Sequence, residues 1–377
     1  MKKVLFAATV VKSHIMEFHV PYLKMFRDAG WETSVAARND YENPAECVIP
    51  YCDRYYDIPF ERSPLKPGNL RAYRELKEII SREHYDAIHC HTPVGALLTR
   101  LAARKSRKQG TKVIYTAHGF HFYKGAPLLN WLVYYPVEWM CSFLTDVLIT
   151  INQEDYALAK KHMHPGKLYY VPGVGVDLKR FSGSREEGRK LLGISEDEFV
   201  LLSVGELSVR KNHRLALEAL AKLRDIPFRY VLVGRGEKLE QLKALAEELQ
   251  IADRVLFTGY RNDVASIFPA ADVFFFPSIQ EGLPVALMES MCAGIPAIVG
   301  KIRGNTDLIT GEKEGLYMDL TPDSAASAIR RLYEDPALRA RLAEAAKEKV
   351  KKFEASSVQE QMRRIYRQTL ADADCVL

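Results

Sequence analysis

No Cys-x-x-Cys pair occurs in this chain, and its six cysteines (Cys47, Cys52, Cys90, Cys141, Cys292, Cys375) lie scattered through 377 residues. That pattern fits neither a disulfide framework nor a zinc knuckle, and a reducing, cytoplasmic setting is expected. Long apolar runs are also missing. The most apolar region, residues 127–151, is interrupted by Asn130, Pro136, Glu138 and Asp146, so no stretch is long enough to span a bilayer. The opening MKKVLFAATVVKSH resembles a signal peptide only briefly: its apolar part is short, no small-residue cleavage site follows, and Lys12 and His14 interrupt it. It reads as a first buried strand. No excess of one charge sign is present either, the formal balance being +5. The densest basic run, Arg104, Lys105, Arg107, Lys108 and Lys112, reads as a solvated helix end or as a surface for anionic lipid head groups or pyrophosphate. Nucleic acid is not expected, because that run is not interleaved with exposed aromatics. Two nucleotide fingerprints fail as well. There is no P-loop, and Gly234-Arg235-Gly236 has Leu239 where the dinucleotide motif requires a third glycine and does not follow the first strand.

What is present is the composition of a globular protein, 47% apolar and 27% charged, in a chain long enough for two cores. Buried strand patterns alternate with helix patterns almost throughout. In the first half they are VLFAATVV, TSVAAR, YDAIHC, KVIYTAH and DVLITIN, with helices over 21–29, 70–82 and 94–108; in the second they are FVLLSVGE, FRYVLVG, RVLFTGY, DVFFFPS and PAIVG. Alternation of this kind predicts an α/β fold of two doubly wound parallel sheets. The Gly/Pro-rich VPGVGVD, residues 171–177, followed by Ser182, Gly183 and Ser184, is the expected hinge. It gives a first domain of residues 1–174 and a second of 175–356. The end of the chain is helical, over 325–333, 336–353 and 358–370, and the Asp372-x-Asp374 pair is discounted as a metal site because it lies in a fraying tail.

Ligands of open parallel sheets bind outside the carboxyl ends of the strands, so the residues there carry the functional reading. In FFFPSIQEGLPVALMESMCAGIPAI, Glu281 follows a strand and Glu289 sits in a short helix that Pro284 opens and Gly294 ends. The free N–H groups near Val285 to Leu287 would form an anion site between the two acids. Carboxylates flanking a phosphate site accept hydrogen bonds from hydroxyls, and a sugar nucleotide has hydroxyls on both sides of its diphosphate. The spacing alone also fits a surface loop with two solvated acids. Arg210, Lys211, Arg235, Tyr260, Arg261, Arg303 and Asn305 stand at neighbouring strand ends, and the set describes a diphosphate pocket.

In the first half the strand ends carry His14, His89, His91, His118 and His121. His89-x-His91 invites a metal reading because alternate strand residues share a face. No carboxylate or cysteine recurs with them at ligand spacing, so no metal is expected. A histidine donating to sugar or phosphate oxygens is the better functional reading, with His14 and His89 as satisfied structural histidines. The aromatic stretch GFHFYKGAPLLNWLVYYPVEWMCSFLTD reads as core, or else as an interfacial membrane patch or lipid-acceptor groove.

EGLPVALMESMCAGIPAI, with VGELSVRKN, FTGYRNDV and TAHGFHFYKGAP, resembles the retaining glycosyltransferases of family 4, of the GT-B fold, over nearly the whole chain. The last run, with HCHTPVG, looks like the EpsD/CapM-type branch that builds bacterial exopolysaccharide or capsule. The resemblance implies two Rossmann-like domains facing across a cleft, with the final helix, about 357–371, crossing back to the first. It implies a nucleotide-sugar donor, a UDP-N-acetylhexosamine or UDP-hexose, held by the second domain. The implied acceptor is a polyprenyl-pyrophosphate-linked saccharide held by the first, with peripheral membrane contact through that domain. Glu281 would meet donor-sugar hydroxyls, Lys211 the diphosphate, His118 the reaction centre and Glu289 the ribose. Gly205, Arg210, Tyr260, Arg261, Gly282, Leu283, Pro284, Arg303 and Asn305 would complete the donor site, and His91, His121 and Lys124 would contact acceptor; no cofactor or metal is implied. Two departures stand out: Glu206 occupies a position where many members have Arg, and VVKSHI lacks the family's paired glycines. A sugar-nucleotide epimerase of the same fold, or a non-catalytic scaffold in a polysaccharide assembly complex, is the alternative reading.

Overall fold

The computed structural model describes residues 1–61, 63, 66–181 and 183–370. Ser182, Cys375 and the Asp372-x-Asp374 pair lie outside the described residues. Two compact units are formed, Met1–Val174 together with the chain from Val358, and Gly175–Ser357.

The first unit is built on seven parallel strands: β1 (Lys3–Val10), β2 (Glu32–Arg38), β3 (Arg54–Asp57), β4 (Ala87–His91), β5 (Lys112–Ala117), β6 (Val147–Thr150) and β7 (Lys167–Tyr170), in the order β3-β2-β1-β4-β5-β6-β7. In β1 every residue after Lys3 is buried, as a strand covered on both faces must be. Its alternation feeds two cores: Val4, Phe6 and Ala8 enter one with Phe26 and Val35, while Leu5 and Ala7 enter the other with Leu76 and Ile88. The final helix, Ala355–Leu370, adds Val358, Met362, Ile365, Tyr366 and Leu370 to the first of these cores, the stripe that a 3.6-residue period presents.

The second unit repeats the plan with six parallel strands, β8 (Phe199–Val204), β9 (Phe228–Val233), β10 (Val255–Gly259), β11 (Val273–Phe276), β12 (Ala297–Gly300) and β13 (Gly315–Met318), in the order β10-β9-β8-β11-β12-β13. Both orders reverse once, between β1 and β4 and between β8 and β11. Those reversals are the switch points where a doubly wound sheet opens a crevice.

Three strands go beyond the sequence expectation. Arg54–Asp57 and Lys167–Tyr170 are half-exposed edge strands, and Gly315–Met318 is the short edge of the second sheet. The expected helix over 94–108 is two, Pro93–Ala102 and Arg104–Lys108, broken at Ala103. After β1, Val11–Met16 turns as a π-helix. Among the described residues no helix is long and apolar enough to cross a membrane.

Candidate active site

In the second unit the loops after β8 and β11 are sewn together at the switch point. Ile279 N donates to the Arg210 carbonyl at 3.0 Å, and Arg210 Nη1 donates to the Gln280 carbonyl at 3.0 Å. These bonds bring two cations onto one acid. Lys211 Nζ lies 2.8 Å from Glu281 Oε1 and Arg210 Nη1 lies 3.1 Å from Oε2, with Glu281 only 7% exposed. Lys211 also sits 4.6 Å above the Phe276 ring. Burial lowers its pKa from the ordinary lysine value, and the Glu281 carboxylate opposes that shift. A third cation closes the floor, as buried Arg303 donates from Nε to the Glu281 carbonyl at 3.1 Å.

Glycine is required where these loops touch. Gly234 has φ +150°, and a Cβ there would stand 1.8 Å from the Gly205 carbonyl; Gly304 has φ +79°, and a Cβ would stand 2.4 Å from the Gly282 carbonyl. The Gly234-Arg235-Gly236 element that fails as a dinucleotide fingerprint therefore has a packing role. Beyond Gly282, Leu283 and Pro284, the helix Val285–Cys292 starts without a side-chain cap, so its first N–H groups are donors for an anion. Glu289 lies on this helix with Arg180 Nη1 4.0 Å away. Tyr260 is 65% exposed beneath Arg235, whose guanidinium is 5.5 Å from the ring, and Arg261 pairs with Asp263 at 2.6 Å. Asn305 is fully buried and donates to the Gly300 carbonyl at 3.0 Å, which makes it a brace for the β12 turn. A cavity of about 550 Å³ lies between the helices His213–Leu220 and Leu239–Glu248, and neither Lys211 nor Glu281 lines it.

At the switch point of the first unit the chemistry is imidazole. His14, His19, His91 and His118 each place a ring nitrogen within 4.8 Å of the others. His118 Nε2 and His91 Nδ1 are 3.3 Å apart, and the His19 and His91 rings stack at 3.7 Å. Burial pushes all four below the ordinary histidine value, His118 to about 4. The sequence expectation divides here. His89 is a satisfied structural histidine, bonded at 2.7 Å to Tyr366 Oη and at 2.8 Å to Thr116 Oγ1. His14 is not, since its buried Nε2 has no partner among the described residues. His19 has no strand-end position in the sequence; its only signal there is a five-residue spacing from His14. His121 lines a cavity of about 250 Å³ with Ser13, His14 and Thr92, whereas Lys124 is exposed and its backbone N–H donates to Glu154 at 2.9 Å.

The aromatic stretch also divides. Phe120 and Phe122 are core, but the helix Leu128–Ser142 leaves Leu128, Leu129 and Leu132 more than half exposed, and Trp139 and Met140 are exposed to a lesser degree. Reading the whole stretch as core is therefore wrong for this helix. It is anchored from beneath by Glu138, bonded at 2.8 Å to buried Arg100.

Residues 3–152 match the glycosyl transferase 4-like family and residues 184–349 match glycosyl transferases group 1. The putative glycosyltransferase EpsD of Bacillus subtilis is 42% identical over 97% of this chain and 96% of its own length. A UDP-Gal:alpha-D-GlcNAc-diphosphoundecaprenol alpha-1,3-galactosyltransferase of Escherichia coli is 33% identical over 72% of this chain and 73% of its own. Sucrose-phosphate synthase of Thermosynechococcus elongatus superposes with a TM-score of 0.81 at 21% identity, covering 99% of this chain and 100% of that one, a likeness of GT-B fold. Paired doubly wound units, the strand-end residues and near-full-length identity to EpsD converge, and this chain belongs to glycosyltransferase family 4, among the EpsD-type glycosyltransferases that have the GT-B fold.

Proposed function

We propose that this enzyme moves a hexose or N-acetylhexosamine from a UDP-sugar to a polyprenyl-diphosphate-linked saccharide, with retention of anomeric configuration, in exopolysaccharide or capsule synthesis. The observation that carries the proposal is the convergence of Lys211, Arg210 and Arg303 on Glu281 beside an uncapped helix N-terminus. Departure of the nucleotide builds negative charge on the β-phosphate and positive charge at the anomeric carbon. Lys211, Arg210 and the N–H groups of Val285–Leu287 answer the first, and they are held in place before the reaction begins. Glu281 orients sugar hydroxyls and faces the developing positive charge, Glu289 takes the ribose, and His118, with its imidazole neutral, donates to the sugar. Gly205, Gly282, Leu283, Pro284, Tyr260 and Arg261 would line the rest of the donor site. The name of the Escherichia coli relative, with its UDP-Gal donor and diphosphoundecaprenol acceptor, supports the same donor and acceptor classes.

His91, His121 and Lys124 belong to the acceptor side of this reading, and the helix Leu128–Ser142 is its membrane contact. Its apolar residues Leu128, Leu129 and Leu132 are exposed, and Arg107, in the basic helix Arg104–Lys108, donates to the Phe143 carbonyl just past its end. Apolar burial at head-group depth with cations alongside is the physics of a peripheral anchor.

The test is a thermal-shift panel of UDP- and GDP-sugars followed by transfer to a polyprenyl-diphosphate saccharide. A UDP-hexose or UDP-N-acetylhexosamine should raise Tm in proportion to its affinity, and NMR of the product should show the donor's anomeric configuration kept. Donor sugar altered without nucleotide release would make the protein an epimerase and overturn the proposal. In parallel, anionic vesicles should co-sediment the wild type and lose the Leu129→Glu/Leu132→Glu protein, while transfer to a short-chain soluble acceptor stays unchanged.

A further inference from the structure

We propose that His14, His19, His91 and His118 form a binding site for one transition-metal dication of the zinc class in the first unit. This goes beyond the transfer chemistry proposed above, which gives His118 a contact to the sugar and His91 one to the acceptor and routes no step through an ion. Three observations carry it. The four ligand nitrogens come from separate elements at the carboxyl edge of the sheet: His14 from the π-helical turn after β1, His19 from the start of the next helix, His91 from the end of β4 and His118 just beyond β5. Their common reach, 4.8 Å at most, brackets the separation that a shared ion imposes. Two nitrogens each bound to one tetrahedral zinc ion lie about 3.3 Å apart, and His91 Nδ1 and His118 Nε2 are 3.3 Å apart.

The second observation is that the cluster does not satisfy itself. His19, 1% exposed, has no partner on either ring nitrogen among the described residues, and His14 Nε2 likewise has none. An unmet buried polar group is destabilising, so a site carrying several of them calls for an occupant. A cavity of about 10 Å³ is lined by His19, His91 and His118, with His14 outside its lining. The third is the backbone. His14 sits in the π-helical turn Val11–Met16 and His19 at the cap of the helix that follows, and their rings stand 5.0 Å apart. Such turns are rare and concentrate at functional sites. Asp40 pins the turn, accepting from Lys12 N at 2.6 Å and from Ser13 Oγ at 2.9 Å. A donor set of imidazoles without carboxylate suits zinc, cobalt, nickel or copper and not magnesium or calcium.

The experiment titrates the full-length protein, stripped with a chelator, with Co²⁺ and then Zn²⁺. One Co²⁺ per chain should produce the strong visible absorption of a tetrahedral ion, Zn²⁺ should displace it, and Tm should rise. His14→Gln and His19→Gln should each weaken binding by at least roughly a hundredfold, while Glu281→Gln should leave the cobalt spectrum intact. Folding of the variants is read from their ion-free circular dichroism and Tm. Absence of a stoichiometric tetrahedral spectrum in the wild type overturns the proposal whatever the variants do. So does a folded His14→Gln or His19→Gln protein whose spectrum and affinity are unchanged.

Discussion

At the carboxyl edge of the first sheet, where β1 meets β4, stand imidazoles; at the same edge of the second sheet, where β8 meets β11, stand Lys211, Arg210 and Arg303 around Glu281. The scaffolds are alike in strand order and in the single reversal that opens a crevice. The difference lies in loops of a few residues. After β1 comes a π-helical turn that carries His14, and after β8 a short 3₁₀ turn, Val209–Lys211, that carries two cations. A doubly wound sheet thus fixes where chemistry happens and leaves its kind to the loops. One edge keeps neutral rings out of water; the other keeps opposed charges within 2.8 Å of each other.

The comparison breaks first at Lys211. Under the proposed mechanism its removal takes away a transition-state contact, and it leaves the Glu281 carboxylate paired with Arg210. Turnover of Lys211→Ala should fall by about a hundredfold or more, the scale of one lost electrostatic contact at a developing oxyanion. Nucleotide release in the presence of acceptor measures it, with Tm recorded alongside because breaking a buried ion pair also costs stability. Near-normal turnover by a folded Lys211→Ala protein would mean that the cation–carboxylate edge is structural, and the two units would then differ in composition without differing in role.

Much of this arrangement is legible in the sequence, and the remainder is hidden for a physical reason. VLFAATV and VFFF read as strands because all positions but Thr9 are apolar, the mark of a strand covered on both faces. RYYD and KLYY do not, because edge strands are half exposed and have no such run. Lys211 and Glu281, 70 residues apart, can each be placed at a strand end from the sequence. That they touch depends on β8 lying beside β11, and strand order is not written in strand spacing. The same holds for His91 and His118, brought together because β4 pairs with β5 so that His91 faces Thr116. His19 is the hardest to see, since its neighbour His14 lies in a π-helical turn that the VKSHIM stretch does not announce. Composition leaves the exposed face of Leu128–Ser142 as one of two readings, core or interfacial patch, because Leu, Trp and Phe suit both.

A smaller effect sharpens the second unit's own division of labour. Glu289 lies one helical segment away from the Lys211–Glu281 pair, beside Arg180, and its proposed partner is the ribose. Glu289→Gln should weaken donor binding about tenfold, the worth of one charged hydrogen bond of about 1.5 kcal/mol, with kcat nearly unchanged. Calorimetric titration with the donor, set beside steady-state rates, separates the two quantities. A loss confined to kcat would move Glu289 from holding the donor to the chemical step.

The last effect is on stability alone and concerns a buried imidazole that the second unit shares in kind with the first. His213 is buried and held at about 3, by burial first and by the nearby Lys211 charge second, as the histidines of the other edge are held down by burial. The sign follows from which state takes up the proton. The unfolded chain binds it near pH 6.5 and the folded one only near 3, so the stability from keeping His213 neutral is whole above about 6.5 and is lost as the pH falls toward 3. At pH 5 the loss is about 2 kcal/mol from this residue alone. Denaturant melts of wild type and His213→Gln should therefore differ most at neutral pH and converge as the pH is lowered. A gap that stays constant from pH 7 to about 5 would mean that the folded state already protonates His213 near its ordinary value, and that the second unit holds no neutral imidazole comparable to those of the first.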